Sequence, residues 1–358
     1  MPSKKTAGTS QPATPLAHGA LALPLVTIED FNIEVKDGDG FVGDAANKKA
    51  FQKKLEEWRK RMRKVGEDPL GKTPTADLSK KDVDAILKDK NAAAAALVLS
   101  AIEDFAQDFA EVIEIYMKQK NWQKTERLVV GGGFRQSRVG ELAIARTEYV
   151  LRSRGANVGL VPIVHHPDKA GLIGSIHLMP SWMLTGHDAM LAVDIGGTNL
   201  RAGIVTFGGE KKPFFADAEV GALTRWRHAD DNPSRTATVQ RLVSMLEELI
   251  ESAAKDKLKL APVIGIGCPG VIREDGAIDR GGQNLPGGNW ESDHFNLPAK
   301  LIAAIPMIGE HPTFVMMHND AVVQGLSQIP FMRDVKRWGM LTIGTGLGNA
   351  LFVNNEGT

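Results

Sequence analysis

Residues 191–201, LAVDIGGTNLR, constrain the fold of this chain more than any other stretch. They read as a buried strand ending in an acidic residue, a glycine turn, hydroxyl and amide side chains, and a second apolar strand running to Val205. Glycines at the bend of such a hairpin leave the backbone N–H groups open to a polyanion, because no Cβ shields them. In that geometry Gly196 and Gly197 form the turn and Asp194 is placed to hold Mg²⁺ through water. Thr198, Asn199 and Arg201 then face phosphate. The same residues also suit an ordinary hairpin whose Asp and Gly serve only the bend.

The segment DIGGTNLR resembles the first phosphate motif of sugar kinases in the hexokinase–actin–Hsp70 superfamily, specifically the ROK family of bacterial glucokinases and sugar repressors. Residues 264–270, IGIGCPG, resemble the family's G-x-P-G strand and turn. Residues 318–321, HNDA, resemble the motif that supplies its catalytic base, and 341–348, LTIGTGLG, its second phosphate motif. These four stand in family order between 191 and 353. The resemblance implies an α/β, two-lobed, actin-like ATPase fold of RNase H-like lobes with mixed sheets. It also implies ATP and Mg²⁺ as cofactors, a sugar as substrate, and nucleotide contacts from Gly344, Thr345, Gly346 and Gly348.

A fifth motif is out of order. Residues 128–134, LVVGGGF, followed by 170–175, AGLIGS, resemble the family's adenosine motif, which normally comes last. Here it precedes the first phosphate motif, and the sequence ends at Thr358, just after the second. The expected architecture is therefore a circularly permuted one, with Gly131, Gly132 and Gly133 at the nucleotide. A lobe at 189–310 would carry the first phosphate motif and the sugar loop. The other lobe would combine 26–178 with 313–358, behind a disordered tail at 1–25. Chain termini often lie close together at a domain surface, so such rewiring can preserve a fold. A fused partial domain is the competing account.

Composition agrees with a globular enzyme and excludes several other classes. The chain of 358 residues can hold two lobes with a sizeable core. Lys plus Arg equal Asp plus Glu at 43 each, which gives no field for capturing nucleic acid or a membrane surface. No run is long and apolar enough to span a bilayer. The N-terminal stretch is too interrupted by Pro, Gly and His for a signal peptide, so a cytoplasmic location is expected. The single cysteine, Cys268, excludes an internal disulfide and the cysteine-rich zinc motif that many ROK proteins carry. Its place at a buried strand end suits a small apolar side chain. The family resemblance allows a homodimer.

Apolar periodicity predicts helices over 44–64, 91–118, 139–154, 236–255, 297–304 and 321–328, and a short polar helix after Ser79. Strands are expected at 160–164, 262–267, 313–317, 337–343 and 350–353, with 26–35 strand or loop. The glycine loops do not complete a dinucleotide fold. The 344–348 spacing fails the G-x-G-x-x-G pattern, no acidic strand end follows 131–133, and no G-x-x-x-x-G-K-[ST] is present.

The family resemblance assigns Asp320 as the base that accepts the sugar hydroxyl proton, against a plain alternative as the N-cap of the helix it opens. Asn319 would bond a sugar hydroxyl beside it. Residues 281–290, GGQNLPGGNW, resemble the family's sugar loop, with Asn284 and Asn289 as hydroxyl ligands and Trp290 and His294 at the pocket wall. The family's G-E-x-G-H element has no clear counterpart. Residues 43–47, GDAAN, are a faint analogue, and Glu356 a candidate remnant. Two functional classes follow: a hexose kinase using ATP or polyphosphate, or a non-catalytic sugar- or nucleotide-binding regulator of the ROK type.

Overall fold

The computed structural model describes residues 16–38, 40–207, 212–344 and 346–356. Strand β1 (Val26–Phe31) leads through a small ribbon, β2 (Lys36–Asp37) and β3 (Gly40–Phe41), into helices α1 (Lys48–Val65), α2 (Lys80–Lys88) and α3 (Ala92–Lys118). Strand β4 (Arg127–Gly131), helix α4 (Arg138–Ser153), strand β5 (Gly159–Pro162) and helix α5 (Pro167–Gly174) follow. The middle of the chain forms β6 (Ala189–Ile195), β7 (Leu200–Thr206), β8 (Glu219–Trp226), the one-turn α6 (His228–Asp231), α7 (Arg235–Lys255) and β9 (Leu260–Cys268). Two further ribbons, β10 (Val271–Ile272) with β11 (Ile278–Arg280) and β12 (Met307–Ile308) with β13 (His311–Pro312), flank α8 (Leu297–Ala304). The chain then runs through β14 (Phe314–Asn319), α9 (Asp320–Leu326), β15 (Arg337–Ile343) and β16 (Leu347–Asn354).

Local chemistry accounts for most of these boundaries. Asn47, Asn91, Ser137 and Ser234 each accept a backbone N–H at the start of a long helix, which satisfies a donor the helix cannot. Ser79 and Asp82 form a reciprocal capping box on α2. All seven residues of β6 are buried, as a strand covered on both faces must be.

Two five-stranded mixed sheets result, ordered β8-β7-β6-β9-β14 and β1-β16-β15-β4-β5. In each, three antiparallel strands are followed by two parallel ones. This is the RNase H-like arrangement, present twice, as in actin-like ATPases. The first sheet takes its strands in the order β6, β7, β8, β9, β14. The second has its equivalents of the two leading strands, β15 and β16, last in the chain, after β1, β4 and β5.

Helices α5 and α9 pack on each other between the two sheets, in a core that draws residues from both. Outside it, α7 and α8 cover the first sheet, and α1, α3 and α4 cover the second. The layers are helix, sheet, crossed helices, sheet, helix. The apolar stripe of α3 is buried in the outer core, as its spacing predicts.

Two boundaries differ from expectation. Strand β14 joins the first sheet beside β9, not the lobe of 313–358, because its buried side chains complete that sheet's parallel edge. Residues 16–25 are not a free tail. Gly19 N–H donates to Met317 O at 3.0 Å, and Met317 N–H donates to His18 Nδ1 at 3.1 Å. Leu23 is buried, and its carbonyl accepts from Asn355 Nδ2 at 2.9 Å. This strap therefore runs from the edge of one lobe to the other. Among the described residues no helix is long and apolar enough to cross a membrane.

Candidate functional site

A cleft of about 740 Å³ opens between the lobes where α5 and α9 begin. On one wall stands the β6–β7 hairpin. Its register sets Asp194 opposite Arg201, and Gly196 N–H closes the turn on Asn199 O at 2.9 Å. The turn is braced from behind by α6: buried His228 donates from Nε2 to Gly196 O at 2.8 Å, and Ala229 N–H donates to Thr198 O at 3.3 Å. Gly196, Gly197, Thr198 and Asn199 all face the cleft.

Arg201 is held between two carboxylates. Its Nη1 lies 3.0 Å from Asp194 and its Nη2 2.6 Å from Asp168 at the head of α5. Asp194 is only 4% exposed. Burial pushes its ionisation upward, while Arg201 opposes that shift. Helix α5 comes this close because residue 171 is glycine. A Cβ there would stand 2.9 Å from the Asp194 carboxylate.

The second glycine turn is adjacent to the adenosine-like one. Strands β4 and β15 are parallel neighbours, with Gly131 opposite Thr342. Gly132, at φ +82°, sits so near the end of β15 that a Cβ would lie 2.4 Å from Ile343 O. Only glycine tolerates both conditions. Gly132, Gly133, Gly344, Gly346 and Gly348 line the cleft, with Gly131 buried just behind them. Thr345 lies outside the described residues.

Asp320 opens α9 and faces the cleft floor. The N-cap of α9 is Asn319, whose Oδ1 accepts from Ala321 and Val322 N–H at 3.0 and 3.3 Å, while Asp320 Oδ1 shares the Ala321 N–H at 2.9 Å. Burial, and next the charge of Asp194, push the Asp320 carboxyl up to about 7. A general base works best with an ionisation near the working pH.

The expected sugar ligands divide. Asn284 lines the cleft beside the Gly197 turn. Asn319 is buried, and its Nδ2 donates to Gly270 O at 2.9 Å, so its amide serves the fold. Asn289 turns away: its Oδ1 accepts from Glu291 N–H at 2.9 Å and its carbonyl meets Arg235. Trp290 is no pocket wall either. It is buried against Phe295, with Nε1 donating to Pro286 O at 2.9 Å. His294 is exposed outside the cleft. Glu356 pairs with Lys336 at the surface at 2.9 Å, whereas Gly43 and Asp44 do reach the cleft.

Sequence reasoning missed Lys80, Asp168, Arg225, Gln324 and Asn349, all of which line it. Asp168 stands two residues before the AGLIGS motif and carried a usable signal. Arg225 pairs in register with Arg201 across β7 and β8, which strand alternation alone could have suggested. A larger hollow of about 900 Å³ beside α1 is lined by none of the residues of the phosphate-like or adenosine-like motifs. Its buried Arg59 is already paired with Asp68 at 2.8 Å.

No family model matches the chain, and no curated protein is detectably similar to it in sequence. Among solved structures it is similar to a candidate sugar kinase from Cytophaga hutchinsonii (21% identity, TM-score 0.34, 46% of this chain and 48% of that one). It is also similar to a candidate N-acetylmannosamine kinase from Listeria monocytogenes (24%, TM-score 0.34, 46% and 47%). A third is a Ppx/GppA phosphatase from Aquifex aeolicus (14%, TM-score 0.24, 48% and 52%). The chain thus spans about half the length of each. At these values the likeness reaches neither a substrate nor a reaction.

Proposed function

We propose that this protein is a sugar kinase that moves a phosphoryl group from ATP to a hexose hydroxyl, as glucokinases do. One observation carries the reading. The acid-ended hairpin, both glycine turns and a carboxyl whose ionisation lies near 7 line a single cleft between two lobes. Phosphoryl transfer asks little covalent work of a protein; it needs positioning, neutralised charge and a base at the accepting hydroxyl.

In this reading Asp320 takes the hydroxyl proton, and Asn284 holds a neighbouring hydroxyl. The turns at 196–199 and 344–348 offer backbone N–H groups to the donor phosphates from opposite lobes, with Gly132 and Gly133 beside the nucleoside. Mg²⁺ typically binds through one or two carboxylates plus substrate phosphates and keeps several waters. Asp194, with Asp168 joined to it through Arg201, fits that demand; no cluster of three or more metal-ligating side chains occurs among the described residues. The ion would neutralise phosphate charge there. Arg201, tethered by Asp168, would keep its guanidinium aimed at the same phosphates.

We further infer that the chain is a circular permutant of the two-lobed kinase fold. The support is topological: both sheets share one strand pattern, but the second enters it at the third strand. The lobes are then 189–319 on one side and 26–166 with 329–356 on the other, with α5 and α9 crossing between them. A coupled phosphorylation screen over hexoses and amino sugars, with ATP and with polyphosphate, tests the function. Turnover of no sugar with either donor would overturn it.

A further inference from the structure

Helix α2 lies outside every motif recognised in the sequence, yet two of its side chains, Asp84 and Lys80, fasten it to the elements around the cleft. Its start is fixed by the Ser79–Asp82 capping box. Its Asp84 accepts the backbone N–H groups of Arg138 and Val139 at 3.0 and 3.1 Å, at the head of α4. Its first residue, Lys80, bonds Gly133 O through its ammonium group. A Cβ on Gly133 would lie 3.3 Å from that nitrogen. The lysine therefore lies across the glycine turn, on the cleft wall shared with Gly344 and Gly346.

Among the described residues no carboxylate bonds the Lys80 ammonium. The two carboxylates whose charges reach Lys80 are Asp168 and Asp84. The first is bonded to Arg201 at 2.6 Å, and the second caps α4. No carboxylate comes within 4 Å of the ammonium among the described residues. Lys48 lines the same small hollow as Lys80, and its own N–H donates to Gly344 O at 3.2 Å. The charge of Lys48 bears on that of Lys80, and the two lysines stand beside the two glycine turns, Lys80 through its ammonium on Gly133 O and Lys48 through its backbone N–H on Gly344 O. Like charges brought together repel unless an anion lies between them.

We propose that Lys80, with Lys48 behind it, binds the phosphate chain of the donor at the mouth between the Gly132–Gly133 and Gly344–Gly346 turns. This rests on the kinase reading and adds to it a donor-binding residue delivered by a helix of its own. The ammonium acts as a point charge on phosphate oxygens. Asp84 is a positioning residue, since it locks α2 to α4.

The test is calorimetry on the full chain, comparing the unaltered protein with Lys80→Met and Lys80→Arg. The probes are tripolyphosphate, Mg-ATP and adenosine. A charge-assisted contact to phosphate is worth roughly ten- to a hundredfold in affinity. Lys80→Met should lose that much for tripolyphosphate and Mg-ATP and nothing for adenosine, while Lys80→Arg retains most of it. Unchanged affinity for both phosphate probes would overturn the assignment of Lys80 alone. So would an equal loss for adenosine, which marks a merely structural role. If the unaltered protein bound neither Mg-ATP nor tripolyphosphate, the kinase reading would fall with it.

Discussion

Asn319 caps α9, and that leaves the neighbouring carboxyl of Asp320 facing the cleft with its ionisation raised to about 7. Asp320→Asn should therefore lower turnover about a hundred- to ten-thousandfold, the usual worth of a general base, with nucleotide affinity nearly intact; near-normal turnover would remove it from the reaction. The same variant has a signature independent of activity. A carboxyl whose folded-state ionisation lies above its unfolded value of 3.8 weakens the fold at pH above about 7, and that cost fades as the pH falls towards 4. Each tenfold weakening of the acid on folding costs about 1.4 kcal/mol once the group is ionised. Asp320→Asn should melt higher than the parent above pH 7 and equally near pH 4. At the hairpin, Gly196→Val places a branched side chain in the turn proposed to meet phosphate, and Asp194→Ala removes the carboxylate proposed to hold the metal. Calorimetry should show Mg-nucleotide binding weakened in both and sugar binding spared; unchanged Mg-nucleotide affinity in both would make the hairpin structural. That Asp194, Arg201 and Asp320 line one cleft was legible in the sequence because each lies within a short, ordered motif. Asn289 and Trp290 were misread because a Gly/Pro loop has no periodicity from which side-chain direction follows. Asp168 reaches Arg201 from 33 residues away, a pairing no local pattern encodes.

Helices and strands were the most legible part of the chain, because caps and apolar spacing act locally. The Asn and Ser caps, the α3 stripe and the fully buried β6 are local facts. The placement of β14 was not, since a short apolar run such as 314–317 joins whichever sheet edge is open to it. The crossing of α5 and α9 was also hidden, although its key residue belongs to a recognised motif. Gly174 sits so close to α9 that a Cβ would lie 1.7 Å from Val323 O. Because the obstacle is backbone, one helix must move. Gly174→Val should cost more than the roughly 1–3 kcal/mol typical of overpacking. Chemical denaturation measures this, and a loss below about 1 kcal/mol, the lower end of that range, would mean that the crossing is loosely packed. Gly171→Ala, where α5 meets β6 instead of α9, presses on Asp194 and should weaken Mg-nucleotide binding more than it lowers stability.

Across the whole molecule, the strap at 16–25 ties the edge of one sheet to the edge of the other. Its anchor is Gly19, at φ +59°, where a Cβ would meet Ile272 O at 2.1 Å. Gly19→Val should release residues 16–22 to protease and lower the melting temperature; an unchanged digestion pattern would show that the strap bears no load. The two-lobed plan itself was legible because the phosphate-like motifs implied paired lobes, and the place of the adenosine-like motif before them pointed to sheets that take their strands in different orders. The strap was not, since a Leu- and Ala-rich stretch broken by His, Gly and Pro has no clear periodicity and resembles a tail until its backbone partners are seen. The strand order also bears on how the molecule is made. One lobe is a continuous run of chain, but the other is split around it: β1 pairs with β16, Val26 opposite Asn354, and β15 occupies the middle of that sheet. On the ribosome, at about 5–20 residues per second, β1, β4 and β5 emerge first and must wait, without their central partner, while the intact lobe is synthesised and folds. The lobe that begins first is thus completed last, and its open edges are exposed to wrong pairing for roughly ten to thirty-five seconds of each synthesis.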